Sequence, residues 1–344
     1  MLTMMTAVAV LGVSLLMTWL VRIYALRHAV LDVPNERSSH TSATPRGGGL
    51  AIVVTVLAAT AWLHARGLIE TPLAYSLLIG GAAVAALGWI DDHRRLGVAV
   101  RVVVQFAAAG WAVFLAGGLV AIDTGLGRVD TGMAIGSALA TLGIVWLLNL
   151  YNFLDGTDGY AGTQAVCAAL AGAALFWIGG AAGVATLCLI IAAAAAGFLF
   201  WNWPPARIFM GDVGSCFLGY AFGVLALFGE KSGALPAWLW LILLGAFVWD
   251  ATFTLLRRLL TGERWYDAHR SHAYQRLHQL GVGHRPIALW LLIVNVALLW
   301  PLAYAGALWN NSRPWALVIS VVVLAVAWSL VQLRSAHLPS HRSA

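Results

Sequence analysis

Residues 133–159 read MAIGSALATLGIVWLLNLYNFLDGTDG. The first part, 133–151, carries no charge and has about the length that crosses a bilayer as a helix. It then opens onto Asn149, Asn152, Asp155 and Asp158, a polar group every third residue, with Gly156 and Gly159 interrupting. On a regular helix each three-residue step drifts by about 60°. The two glycines instead predict a bend into a loop at the membrane edge, where backbone N–H groups and carboxylates converge on one ligand. Uncompensated Asn and Asp directly after the apolar run Ile144–Leu148 are costly in lipid, which points to function rather than to an ordinary polar loop.

The same unit, an apolar run ending in carboxylates, recurs along the chain. Hydrophobic residues make up 61% of the 344, charged residues 10%, and mean hydropathy is +0.84. A soluble domain carries about 25% charged residues. The apolar material predicts eleven spans, near 4–26, 48–65, 73–90, 101–119, 133–151, 164–179, 183–200, 214–229, 236–256, 286–305 and 315–333. The expected fold is all-α: one polytopic membrane domain over 1–333 and a short polar cytoplasmic tail over 334–344. The first span lacks a basic n-region and a clear cleavage site, so it reads as retained. Cys167, Cys188 and Cys216 lie in apolar runs without metal-ligand spacing, so neither a zinc site nor a disulfide framework is expected.

Net charge is +6, yet the cations do not suggest nucleic acid. Sixteen of the twenty Lys and Arg fall on one alternating set of loops; only Arg66, Arg128, Lys231 and Arg313 fall on the other. The positive-inside rule then places the N-terminus outside and the C-terminus in the cytoplasm. Asp and Glu follow the same sorting, ten of fourteen on the cytoplasmic side. That rule says little about acids, so their concentration on one face calls for a polar site there.

Four further segments feed that face. Asp91 and Asp92 end the third span; adjacent carboxylates there repel, and one takes up a proton unless a cation or basic partner is present. Such a pair suits a metal site or a general base. Residues 201–215, WNWPPARIFMGDVGS, hold Asn202, two prolines that stop the preceding span, Phe209 placed to stack on a planar base, and Asp212 between Gly211 and Gly214. The loop 257–286 is dense in Arg and His, suited to a diphosphate, with His269 and His272 flanking Arg270. The loop 32–49 carries Arg46 before Gly47-Gly48-Gly49, a run that permits close approach of the backbone to a ligand or helix.

In this order, the five segments resemble the polyprenyl-phosphate N-acetylhexosamine-1-phosphate transferase family, over about residues 30–280. The run His269-Arg-Ser-His-Ala-Tyr-Gln275 is similar to the branch that starts bacterial O-antigen and lipopolysaccharide synthesis from UDP-N-acetylated deoxyhexosamines. The resemblance implies an Mg²⁺-dependent enzyme of the bacterial inner membrane, with Mn²⁺ able to substitute. Its substrates would be a UDP-N-acetyl-sugar and undecaprenyl phosphate, with membrane lipid around it; a homodimer is compatible with it. Asp91 and Asp92 match the family's aspartate pair, with Asp155, His269 and His272 the other catalytic candidates. Asp212, with help from Asp155 or Asp92, would hold the metal. Gly156, Thr157 and Asp158 would line the uracil pocket and Phe209 would stack on the uracil. Arg46, Asn149, Asn152, Asn202 and Arg270 complete the substrate contacts. The sequence departs from many relatives at Arg270 and Ser271, where those carry Ile-His.

The chemistry implied is attack of the lipid phosphate oxygen on the β-phosphorus of the UDP-sugar, with UMP leaving. A polytopic transporter or lipid flippase is the rival. It would place acids near the bilayer midplane in repeated halves, and Asp250, the deepest acid, is its best point.

Overall fold

Long apolar runs with no β-alternation fold here, as lipid requires, into helices that satisfy their own backbone hydrogen bonds. The computed structural model describes residues 2–33, 43–94, 96–263 and 269–336. In chain order they form α1 (Leu2–Arg27), strands β1 (Leu31–Asp32) and β2 (Thr44–Pro45), α2 (Gly49–Ala65), α3 (Thr71–Tyr75) and α4 (Ala82–His93), then α5 (Val98–Leu115). A short hairpin, β3 (Ala121–Asp123) and β4 (Arg128–Asp130), precedes α6 (Gly132–Phe153), α7 (Tyr160–Ile178), α8 (Ala182–Asn202) and α9 (Asp212–Ser232). The remainder is α10 (Ala237–Leu243), α11 (Gly245–Leu260), α12 (Ala273–Gln279), α13 (His284–Val294), α14 (Trp300–Leu308) and α15 (Arg313–Ser335). The polar tail beyond residue 336 lies outside the described residues.

Every expected span is helical, and the protein is a multi-pass, all-α membrane protein. Among the described residues nine helical runs are long and apolar enough to cross a membrane. The segment expected as one straight span over 236–256 is corrected: α10 and α11 meet at 87°. Leu244, at φ −99° and ψ 12°, leaves the helix there. The carbonyl freed at such a break needs a donor in lipid, and buried Gln164 of α7 supplies one, its Nε2 donating to Leu243 O at 2.9 Å. Asn295, where α13 passes into a π-turn, donates in turn to Gln164 Oε1 at 3.0 Å. The 17-residue α2 spans roughly 26 Å, slightly short of a bilayer core.

The centre of the bundle is α9, buried along nearly its whole length. It packs against α4 and α6. Tyr220 lies 3.0 and 3.1 Å from the carbonyl oxygens of Ser76 and Ala108, closing the π-turn that links α3 to α4. At one end of α9, buried Glu230 accepts from the backbone N–H of Asp123 and of Ala237, both at 2.7 Å, and so pins the β3–β4 hairpin and the start of α10. The polar segments meet at the other end.

Candidate active site

The N-terminus of α9 organises the site. Four backbone N–H groups there lack helical partners, and Asp92, at the end of α4, serves two of them. Its Oδ1 accepts from Asp212 N–H at 3.0 Å and its Oδ2 from Val213 N–H at 3.2 Å. The approach is that close because Gly88, one turn before Asp92, lies against the Asp212 backbone where a Cβ would collide.

Arg46 closes the cluster. Its Nε lies 2.8 Å from Asp92 Oδ1 and its Nη2 2.7 Å from Asp212 Oδ1, so one guanidinium bridges two carboxylates. The Gly47–Gly49 run positions it. Gly48 N–H donates to Phe209 O, Gly49 N–H to Met210 O, and Phe209 N–H to Pro45 O, all between 2.8 and 2.9 Å. Gly49 and Gly214 face each other without room for a side chain on either. Gly214 is thus a helix-packing residue, and the turn is made at Gly211, with φ +77°. Burial pulls the Arg46 pKa down, but Asp92, Asp212, Asp32 and Asp155 outweigh it and raise it above its ordinary value.

The adjacent Asp91 and Asp92 face different arginines. Asp91 turns away from α9: Leu96 N–H donates to its Oδ1 at 2.6 Å, and Arg101 Nη1 lies 3.3 Å from its Oδ2.

The run 149–159 bends later than expected. Helix α6 continues through Phe153, so Asn149 and Asn152 are helical. Asn149 exchanges hydrogen bonds with Gln105 of α5, at 2.9 and 3.4 Å. Asn152 donates to Ser215 of α9 at 3.0 Å. The turn follows at 154–159, ending on Gly159 at φ +73°. Asp155 stands there beside Arg46, Asp212 and Asp92. Desolvation, opposed by Arg46 and reinforced by those two carboxylates, pushes its pKa well above the usual range.

Asp158 and Asn202 lock this turn to the 203–208 loop. Ala206 N–H donates to Asp158 Oδ2 at 2.9 Å, and His284 Nδ1 lies 3.1 Å from its Oδ1. Asn202 accepts from Gly159 N–H and donates to Ile208 O, each at 2.9 Å. The buried Thr157 hydroxyl has no partner, and Phe209 is half-buried beside the turn into α9.

The histidine segment joins through a residue the sequence did not single out as a site residue, Tyr274. Its hydroxyl donates to Phe153 O at 3.1 Å and abuts Gly156. Its ring stacks on Tyr160 and on His272, with centroids 5.2 and 6.0 Å away. His269 lies 4.9 Å from the His272 ring, with Nδ1 2.9 Å from Ser271 Oγ. Gln279 donates to the Arg270 carbonyl at 3.1 Å. Desolvation, then His272, Arg258 and Arg257, lower the His269 pKa to about 4, so it is neutral at pH 7. An unfolded histidine titrates near 6.5 and binds the proton first, so this group costs stability as pH falls from 6.5 toward 4. His269→Gln is expected to flatten that part of the Tm–pH curve; an unchanged slope counts against a buried neutral imidazole.

Among the described residues no three His, Cys, Asp or Glu side chains are close enough to hold a metal by themselves. Asp92 and Asp212 nonetheless share one guanidinium, and Asp155 lies within electrostatic reach of all three. One arginine does not balance three carboxylates, and the raised Asp155 pKa marks a site where a further cation would favour the ionised form. Hard oxygen donors with that deficit fit Mg²⁺, with substrate phosphates and water completing its shell.

Asp250, the deepest acid, is buried rather than open. Its Oδ1 accepts from Ala273 N–H at 2.8 Å, next to His272, which binds it to the histidine segment.

The chain is similar to proteins of known kinds. The pattern of "Glycosyl transferase family 4" matches residues 74–230, a stretch that contains Asp91, Asp92, Asp155 and Asp212. The chain is 31% identical to "Probable undecaprenyl-phosphate N-acetylglucosaminyl 1-phosphate transferase" of Bacillus subtilis (strain 168), over 82% of this chain and 78% of that one. It is 28% identical to "Decaprenyl-phosphate N-acetylglucosaminephosphotransferase" of Mycobacterium leprae (strain TN), over 89% and 84%. It is 30% identical to "Phospho-N-acetylmuramoyl-pentapeptide-transferase" of Moorella thermoacetica, over 74% and 82%.

Proposed function

The chain belongs to the polyprenyl-phosphate hexosamine-1-phosphate transferases of glycosyl transferase family 4, enzymes of cell-envelope synthesis, and from that membership we propose the details of its reaction. It moves an N-acetylated hexosamine 1-phosphate from a UDP-sugar onto undecaprenyl phosphate, releasing UMP. The observation that carries this reading is the convergence of Arg46, Asp92, Asp155 and Asp212, from four separate segments, at the N-terminus of α9.

In the reaction the lipid phosphate oxygen attacks the β-phosphorus, the bond from that phosphorus to the bridging oxygen of UDP breaks, and UMP carries that oxygen away. A phosphate monoester is already largely ionised at pH 7, so the barrier is the meeting of two polyanions. Arg46 supplies fixed positive charge, and His269, His272 and Arg270 steady the remaining oxygens. Mg²⁺ held by Asp212 with Asp155 or Asp92 would neutralise the donor diphosphate. Gly156, Thr157 and Asp158 form the floor for uracil and Phe209 its stacking face; the unpartnered Thr157 hydroxyl is a ready hydrogen-bonding group there.

The lipid tail needs an apolar course inside the membrane. A cavity of about 370 Å³ lies among α6, α9, α10 and α11, lined by Ile144, Leu147, Gly223, Trp240 and Trp249. It shares no lining residue with the acid cluster and reaches Glu230, at the opposite end of α9, so a tail lying there would extend across the membrane from a headgroup held at the cluster. The loop charges support a site facing the cytoplasm of the bacterial inner membrane, N-terminus outside and C-terminus inside.

The finer reading is a donor of the N-acetylated deoxyhexosamine type and a product that starts O-antigen or lipopolysaccharide; the His269–Gln275 sequence supports it. The relatives' names instead point to N-acetylglucosamine and to peptidoglycan precursors. Purified protein with undecaprenyl phosphate, Mg²⁺ and a panel of UDP-sugars separates the two. UMP release from one N-acetylated donor is expected. Release from none overturns the reaction, and preference for UDP-N-acetylglucosamine overturns the finer reading.

A further inference from the structure

Asp250 lies on α11, in an apolar run where a carboxylate is costly without a purpose. Its side chain is buried, and only half of its bonding capacity is used. Oδ1 accepts from Ala273 N–H at 2.8 Å and from Thr254 Oγ1 at 3.2 Å; Oδ2 is buried with no partner. A titratable group faces it: His272, at the start of α12 with its side chain toward the Gln275 backbone N–H, has a buried Nδ1 that lies 3.8 Å from Asp250 Oδ1 and makes no full hydrogen bond among the described residues. Two buried polar groups left unbonded at that separation each cost free energy that a shift of under about an ångström would recover.

We propose that Asp250 is a positioning residue for the transfer reaction: it accepts the Nδ1–H of His272, so that the ring can take a second proton at Nε2 and donate it to the substrate's phosphate oxygens. The inference rests on the reaction given under Proposed function. An imidazole's tautomer is set by the bond its other nitrogen makes, and a carboxylate behind a histidine is an established way to set it. The surroundings agree. Of the two His272 ring nitrogens only Nδ1 is sealed from solvent without a partner. The ring is fixed in plane by Tyr274, which also touches the Asp155 turn, so the Asp250–His272 pair is in register with the acid cluster.

The frame around the pair is rigid. The helix break that Gln164 stabilises sets the direction of α11. From α15, Trp328 donates to Thr254 at 3.1 Å and Gln332 to Ser271 O at 2.9 Å, gripping both sides of the pair. Among the described residues, the other charged or titratable groups near it are His269, Arg257, Arg258, Tyr160 and Tyr274. None of them is a second carboxylate able to take over the role.

Asp250→Asn tests this, because Asn keeps an acceptor for Ala273 and Thr254 while losing the carboxylate. ¹⁵N-histidine NMR of the full-length protein, with His272 assigned by its loss in His272→Gln, reads the tautomer without turnover. The wild type is expected to carry the proton on Nδ1 and Asp250→Asn to show a mixture. A wild-type Nδ1 without the proton, or an unchanged variant, overturns the proposal. In UMP release, Asp250→Asn is expected to lower kcat about 100-fold with the donor KM within about threefold, and Asp250→Glu to recover part of the loss. In a His272→Gln background the same change is expected to cost less than about threefold more, since the two residues act as a unit. Multiplicative losses would mark Asp250 as merely structural and overturn the proposal. If the wild type releases no UMP from any donor, the transferase reading fails, and the NMR result still decides the role of Asp250.

Discussion

Asp212→Asn is expected to lower UMP release about a thousandfold with little change in folding. The carboxylate is one-fifth exposed at the mouth of the cluster, whereas Asp92 is fully sealed. Asp212 is therefore the acid best placed to meet both a divalent cation and the donor diphosphate. Losing one preorganised electrostatic contact to a developing charge costs about 10²–10³ in rate, and a weakened metal site adds to that. The fold has little reason to change. The contact that ties α4 to α9 uses the Asp212 backbone N–H, not its side chain, and Arg46 keeps Asp92 at 2.8 Å. Thermal unfolding should thus shift by no more than a partly exposed ion pair contributes, about 1 kcal/mol. The Mg²⁺ concentration for half-maximal rate should rise. Residual turnover above a tenth of wild type, at unchanged Mg²⁺ demand, would remove Asp212 from the metal site.

The residues of this cluster were legible in the sequence because carboxylates at span ends are costly without a reason. Asp92, Asp155 and Asp212 announce themselves by position alone. Their partners do not. Arg46 is one of many arginines in loops that the positive-inside rule already explains, and its bond to Asp212 joins residues 166 apart in the chain. Residue type gives the sign of a charge; the Gly49–Gly214 approach that brings the two together is a matter of packing. Tyr274 and Gln105 were missed for a related reason. A tyrosine beside a histidine motif reads as an interfacial aromatic, and a lone Gln105 in an apolar run shows only that it faces protein, not that it meets Asn149. Its signal was available, since an amide in a span needs a partner. The break at Leu244 left no such trace. It lies within Leu243-Leu244-Gly245, with no proline, and its stabilising donor, Gln164, is two helices away in sequence. Asp250 was read as the best support for a transporter because depth was its only visible property; its bond to Ala273 N–H ties it to the histidine segment.

Arg46→Met should damage the protein in a different way from Asp212→Asn, through folding as well as turnover. Removing the guanidinium leaves the fully buried Asp92 with two backbone donors and no counter-charge. Breaking a buried pair by deleting one partner costs about 3–5 kcal/mol. Arg46 is about one-third exposed, so a loss near about 3 kcal/mol is expected, the low end of that range. The cost should come from Asp92 losing its counter-charge and having to take up a proton to stay buried. Asp92→Asn added to Arg46→Met should therefore restore much of the lost stability, because an amide oxygen still accepts from the Asp212 N–H while the charge is gone. Turnover stays absent in the double variant, since neither the bridging cation nor the acid remains. Mg²⁺ should raise the unfolding midpoint of Arg46→Met more than that of the wild type, because a ligand that binds only the folded state stabilises it by mass action, and here the cation would occupy the region the guanidinium left. Thermal unfolding of the four proteins with Mg²⁺ and with chelator reads both effects. If the double variant loses the sum of the two single losses, Arg46 and Asp92 are independent, and the charge pair is not what holds α4 against the start of α9.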